Sequence, residues 1–180
     1  MFNAIELVPF QAAIRAGVAM IMTAHIVFEP IDPTFPGTMS KPVLDGLLRK
    51  RLGFDGVIIS DGLEMKAIAA NYSVDELVTR GANAGIDLFA PCEETDFRDR
   101  AIDALIKAVE RGEVPRERLA ESGRRIDALA AKYVQPAHAF TPEHAAVLGC
   151  AEHRAVIDRI LEIAKDTSEG AADPTAVRLV

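Results

Sequence analysis

The chain is poor in cysteine, in positive charge and in long apolar runs, and each shortage closes a class of function. Cys92 and Cys150 are its only 2 cysteines. They stand far apart without metal-ligand spacing, so neither a disulfide framework nor a zinc site is expected, and a reducing compartment follows. Lysine and arginine number 20 against 27 aspartates and glutamates, a formal net charge of −7. That balance argues against nucleic acid or a membrane surface as partner, since both need cations to neutralise phosphates. A small neutral or zwitterionic partner fits better. No apolar stretch approaches the length of a membrane span, and Met1-Phe2-Asn3-Ala4-Ile5-Glu6 lacks the basic and apolar regions of a signal peptide. A cytoplasmic location is the expectation. A glycine-rich phosphate loop is missing, as is a second carboxylate at ligand spacing, so no cofactor is expected and metal or phosphate chemistry is the weakest reading.

What is there is enough to build one core, because 49% of the 180 residues are apolar and 26% charged. The organising stretch is Phe54-Asp55-Gly56-Val57-Ile58-Ile59-Ser60-Asp61-Gly62-Leu63-Glu64-Met65. Its apolar run is too short for a helix and is bounded by glycines, which reads as a buried parallel strand delivering Asp61 to a strand-to-helix junction. Such junctions carry the chemistry of α/β proteins. A blander role competes: Asp-x-x-Glu ahead of a helical run is also a capping box, with Asp61 as N-cap and Glu64 reaching back. Local pattern alone favours the cap.

Taken in order, Ile5 to Ala16 has apolar residues at helical spacing, closed by Gly17, and Val18 to Ala24 reads as a strand covered on both faces with His25 at its end. Phe28 to Met39 holds three prolines and a glycine and must be a long loop, of a length usually kept for function. Ser40-Lys41-Pro42 then opens a helix that Gly53 ends. After the Asp61 strand come a short helix over Glu64 to Ala70, a Ser73-capped helix to Ala84 stopped by Gly85, and a third strand from Ile86 to Ala90 leading to Cys92. Asp96 to Arg111 and the segment from Pro115 to Tyr133 are amphipathic helices, the second with Arg116, Arg118, Arg124 and Arg125 expected on its solvated side. Beyond Pro136, Thr141-Pro142-Glu143 restarts a helix expected to reach about Lys165, and the tail from Asp166 is small and polar. His138, His144 and His153 lack the spacing of a helical metal pair and are expected to be ordinary surface or core histidines.

Three strand-then-helix units at intervals of about thirty residues argue for right-handed crossovers and a parallel sheet. His25, Asp61 and Cys92 then lie at one carboxyl edge, where His25 and Asp61 can face one pocket. Three parallel strands cannot close, whereas a full eightfold barrel takes about 250 residues. The expected fold is therefore α/β, a partial (β/α)8 TIM barrel made of its last three strand-helix units plus C-terminal helices. The divisions are residues 1–135 for the barrel part, 136–165 for an extra helix and 166–180 for the tail.

Several motifs in succession carry a family resemblance. Glu6-Leu7-Val8-Pro9-Phe10, Met22-Thr23-Ala24-His25, Leu47 through Ile59, and Ser60-Asp61-Gly62-Leu63-Glu64-Met65 with Lys66-Ala67-Ile68-Ala69 resemble the carboxyl-terminal part of the barrel of family 3 glycoside hydrolases. The likeness is to the bacterial β-N-acetylhexosaminidase branch that works in peptidoglycan recycling, and it covers residues 5 to 135. It implies a retaining mechanism in which Asp61 is the nucleophile, and it reverses the preference for a cap. Many relatives have a second aspartate where this chain has Gly62, though small residues also occur there. The branch takes its acid/base histidine from a loop after a Lys-His-Phe-Pro-Gly-His-Gly motif and its sugar-binding residues from earlier barrel units, none of which is in this sequence. His25 follows a different strand and is at most a substrate-binding, pocket-lining residue. Loss of the acid costs roughly 10²- to 10⁴-fold, so these 180 residues alone are expected to be nearly inactive. The implied partner is a small N-acetylglucosaminide. An alternative from a different class is a non-catalytic remnant that self-associates through its open sheet edges.

Overall fold

Two stretches rich in isoleucine, valine and methionine and a third around Phe89 form the only sheet among the described residues. The computed structural model describes residues 5–92, 95–135 and 141–168 and separates into two compact units, Met1–Val134 and Gln135–Val180. The first unit runs α1 (Leu7–Arg15), β1 (Met20–Met22), a 3-10 turn (Gly37–Met39), a π-helix (Pro42–Arg51), β2 (Val57–Gly62), α2 (Lys66–Ala69), α3 (Val74–Ala84), β3 (Leu88–Ala90), α4 (Thr95–Glu110) and α5 (Arg116–Tyr133). The sheet is parallel in the order β1-β2-β3 and is not closed. This is a partial (β/α) barrel with few strand-helix units and extra C-terminal helices.

The glycine stops hold. Gly17, Gly53, Gly85 and Gly112 all have positive φ, the conformation that ends a helix at little cost when no side chain is present. Ser73 caps α3 as its position suggests, its hydroxyl accepting from the Glu76 amide at 3.2 Å. β1 and β3 are shorter than the apolar runs Val18 to Ala24 and Ile86 to Ala90, and each pairs with β2 alone among the described residues. The helix after Ser40 is wound with i→i+5 bonds, which propensity does not distinguish from the ordinary winding, and it buries Leu44 and Leu48.

The register sorts the sheet into two faces. Ile21 lies beside Ile58, and both pack on Leu44, Leu48, Phe54, Ala84 and Ile86. Further along, Met39, Leu63, Ile68, Leu77, Val78 and Phe97 form a second cluster around α2, α3 and α4. On the opposite face Met22, Ile59 and Leu88 are aligned by register. Met22 is 62% and Leu88 38% exposed. A closed barrel would bury that face, and three strands leave it open.

At the amino end of the sheet Asp87 is fully buried and organises the floor. Its Oδ2 accepts from Arg49 Nη2 and from the Ile58 amide at 3.0 Å. Its Oδ1 accepts from Arg118 at 2.9 Å, Ser122 at 2.8 Å and Arg125 at 3.2 Å. Burial pushes the Asp87 carboxyl up, but the Ile58 amide, Arg118, Ser122 and Arg49 together outweigh it and hold the group below the ordinary aspartate range. Two of the arginines expected in solvent are therefore inside: Arg118 and Arg125 have side chains only 14% and 21% exposed. Residues 118, 122 and 125 share one helical face, and Asp87, far away in sequence, supplies the partner that makes their burial tolerable.

The second unit contains α6 (Pro142–Val147) and α7 (Ala151–Ser168). The pattern from Thr141 to Lys165 reads as one continuous helix, but Gly149 at φ +66° divides it. Thr141 and His144 make a reciprocal capping box at the start of α6. His153 is exposed on α7. His138 and the tail beyond Ser168 lie outside the described residues. Among the described residues no cluster of three or more histidines, cysteines and carboxylates could hold a metal ion, and no helix is long and apolar enough to cross a membrane.

Candidate active site

The carboxyl edge of the sheet is shaped by an irregularity in β2. Ile59 is level with Leu88 and Gly62 with Ala90, so three steps along β2 match two along β3. The extra residue is a bulge, which breaks the regular ladder and turns side chains away from their alternating positions. Ser60 fills the gap, its buried hydroxyl accepting from the Ala90 amide at 2.9 Å. The Leu63 amide then resumes pairing with the Ala90 carbonyl at 3.2 Å.

Asp61 sits on this bulge and is half-buried. Its Oδ1 accepts from the Gly62 amide at 2.8 Å. Its other oxygen has no hydrogen bond, and the carboxylate no ion pair, among the described residues. The competing role as a helix cap is absent: α2 begins at Lys66 with Met65 before it and no side-chain cap. Glu64 does not reach back either, because its carboxylate accepts from the Cys92 amide at 2.9 and 3.0 Å. A carboxylate so placed keeps lone pairs free for chemistry.

His25 comes to the same edge from the end of β1, with both ring nitrogens engaged. Nδ1 lies 2.8 Å from the Thr38 hydroxyl, and Nε2 lies 2.8 Å from the Gly62 carbonyl oxygen. Thr38 is delivered by the proline-rich loop, which folds back so that the Gly37 and Thr38 amides donate to the carbonyls of Ile26 and Ala24 at 2.8 and 3.3 Å. Asp32 pins that loop from inside. Its carboxylate accepts from Thr34, Phe35 and the Ser40 hydroxyl at 3.0, 3.2 and 2.7 Å. The Ser40 bond holds the Asp32 carboxyl below its usual range against the opposing effect of burial, with help from the Thr34 and Phe35 amides.

The structure thus brings Asp61 and His25 together, as neighbouring strand ends require, but the main chain of Gly62 connects them. Cys92 lies two residues beyond β3 and is exposed. Thr23, Thr38 and Ser60 were not foreseen as parts of this edge. Thr23 and Ser60 stand inside the motifs that end in His25 and contain Asp61, whereas nothing local distinguishes Thr38. An apolar cavity of about 240 Å³ lies beside β1, lined by Leu7, Phe10, Thr23, Leu44, Leu47 and Leu48 among others; Asp61 is not part of its lining.

Residues 1–129 match the family described as "Glycosyl hydrolase family 3 N terminal domain". The chain belongs to glycosyl hydrolase family 3. Among curated members, a protein of Thiobacillus denitrificans named beta-hexosaminidase is 30% identical over 171 residues, which cover 94% of this chain and 44% of the relative. Another of that name from Thioalkalivibrio sulfidiphilus is 38% identical over 100 residues, 56% of this chain and 28% of the relative. The family 3 β-N-acetylglucosaminidase of Paenibacillus sp. FPU-7 superposes with a TM-score of 0.74 at 37% identity, covering 88% of this chain and 30% of that one. For the β-N-acetylglucosaminidase of Thermotoga maritima the TM-score is 0.66 at 32% identity, covering 70% and 28%. The chain therefore spans less than half the length of these relatives, and the resemblance read from its motifs is to the same family.

Proposed function

We propose that these residues supply the nucleophile-bearing part of a retaining β-N-acetylhexosaminidase that releases terminal N-acetylhexosamine from small glycans such as peptidoglycan fragments, in the cytoplasm. The observation that carries this reading is the uncommitted carboxylate of Asp61 at the carboxyl edge of the sheet, released from capping duty. The names of the similar proteins support the substrate class. In the proposed first step an Asp61 oxygen bonds to the anomeric carbon as the bond from that carbon to the leaving oxygen breaks, the leaving oxygen taking a proton from an acid. Water then resolves the ester.

Among the described residues, His25 is not suited to be that acid. His25 has its ring between Thr38 and Gly62, so the 180 residues by themselves should turn over little. The test joins this chain to the first five barrel units of the Thiobacillus denitrificans relative and offers it a 5-fluoro N-acetylglucosaminyl fluoride. Fluoride departs without protonation, so labelling needs only the nucleophile and the sugar site. Mass spectrometry should find the sugar on the peptide containing Asp61 and none on Asp61→Ala. A label elsewhere, or one indifferent to that substitution, removes the assignment.

A second reading has its own observation. Met22 and Leu88 are exposed on an open sheet face whose outer strands each pair with β2 alone, which favours a non-catalytic, self-associating chain. It requires absence of labelling together with association that rises with concentration.

A further inference from the structure

We infer that His25 is a positioning residue that, with Thr38 and Thr23, clamps the Asp61-Gly62 segment and so aims the Asp61 carboxylate, an inference that rests on the nucleophile reading for its catalytic consequence. The bulge between Ile59 and Gly62 takes the backbone there out of the regular ladder, and groups so displaced must find other partners. They find this set. The Asp61 amide donates to the Thr23 hydroxyl at 3.4 Å, Thr23 and Thr38 hydroxyls are 2.9 Å apart, Thr38 is 2.8 Å from His25 Nδ1, and His25 Nε2 is 2.8 Å from the Gly62 carbonyl oxygen. The chain of contacts leaves the segment at the amide of Asp61 and returns at the carbonyl of Gly62.

Its hydrogen-bond directions are determined. A carbonyl oxygen only accepts, so in the neutral ring Nε2 carries the hydrogen and Nδ1 accepts. Thr38 must then give its single hydroxyl hydrogen to Nδ1 and receive that of Thr23, which is left to accept from Asp61. Thr38 is fully buried and Thr23 7% exposed, so water does not readily substitute for either. With Asp61 N–H and Gly62 C=O both held, the Gly62 amide between them is fixed where it bonds Asp61 Oδ1 at 2.8 Å, leaving the second oxygen outside the set. His25 thus acts on the carboxylate through the backbone rather than by touching sugar.

The test begins with the unsubstituted 180-residue chain, using nitrogen NMR of His25. The neutral ring should be the Nε2–H tautomer, and an Nδ1–H tautomer overturns the clamp without any variant being made. Amide hydrogen exchange is then compared in Thr38→Val, which keeps the shape and loses the hydroxyl, and Thr38→Ser, which keeps the hydroxyl. Exchange at Asp61 should rise about three- to tenfold in the valine variant, return in the serine variant, and stay unchanged at Ile58. Equal exchange at Asp61 in both variants overturns the proposal. In the joined enzyme, the label on Asp61 should form more slowly at saturating reagent in Thr38→Val than in Thr38→Ser. If the joined wild-type enzyme takes no label while tautomer and exchange are as expected, the nucleophile reading falls, and with it the catalytic half of this inference.

Discussion

At the scale of single residues, Asp61 separates from its competing role by a measurement of stability. A capping aspartate costs about 1 kcal/mol when its oxygen is removed, whereas Asp61 caps nothing. Asp61→Ala is therefore expected to leave the unfolding free energy from urea titration within about 0.5 kcal/mol of wild type. A loss at the capping value would restore the blander role. Gly62 and Gly56 make a second contrast. A Cβ at Gly62 would meet nothing nearer than Met65 Cγ at 3.6 Å, so the position has room for a larger residue. At Gly56 it would meet the Ala19 carbonyl oxygen at 2.6 Å and the Phe54 ring at 2.7 Å. That carbonyl is held by the Val57 amide at 3.1 Å and cannot retreat without loosening the join between β1 and β2. Gly56→Ala should cost about 1–3 kcal/mol in denaturant titration, and Gly62→Ala almost nothing.

Among elements, the floor of the sheet is held by charge and the helices by apolar faces, and the two respond to different conditions. Asp87 ties the π-helix, β2 and α5 to the start of β3 through Arg49, the Ile58 amide, Arg118, Ser122 and Arg125. Asp87→Asn leaves three guanidinium groups facing a neutral amide and should cost about 3–5 kcal/mol, read as a fall in Tm. The carboxyl is held below its unfolded value, so its contribution is complete above that value, near pH 3.8, and disappears as pH drops through the lower folded one. Asp32 behaves in the same sense. The urea midpoint at fixed ionic strength should accordingly stay level from pH 7 to 5 and fall in the acid range. Stability that instead increased on acidification would contradict both depressed carboxyls.

For the molecule as a whole, the open face joins structure to function. Three parallel strands expose Met22 and Leu88 on the side that a closed barrel buries. Each outer strand, β1 and β3, also has one edge without a strand partner among the described residues. The isolated chain should therefore elute at an apparent mass that grows with loading, and joining it to the first five barrel units should abolish that growth. A monomer at every concentration would mean that the open face is tolerated in water, and would count against the self-associating reading.

The order of elements, their glycine stops and the arrival of His25 and Asp61 at one edge were legible in the amino acids alone. Those features depend on spacings of two to four residues and on the direction of parallel strands. Whether Asp61 capped a helix was not decidable locally, since the same four residues satisfy both roles; the bulge opposite β3 and the capture of Glu64 by Cys92 settled it. Thr38 and the buried arginines were equally invisible. Their partners stand 13 to 38 residues away, and a hydroxyl in a loop or an arginine on a helix looks the same in sequence whether it meets water or a buried carboxylate. Local pattern specifies elements, but only the packed chain decides which polar groups lose water and must find one another.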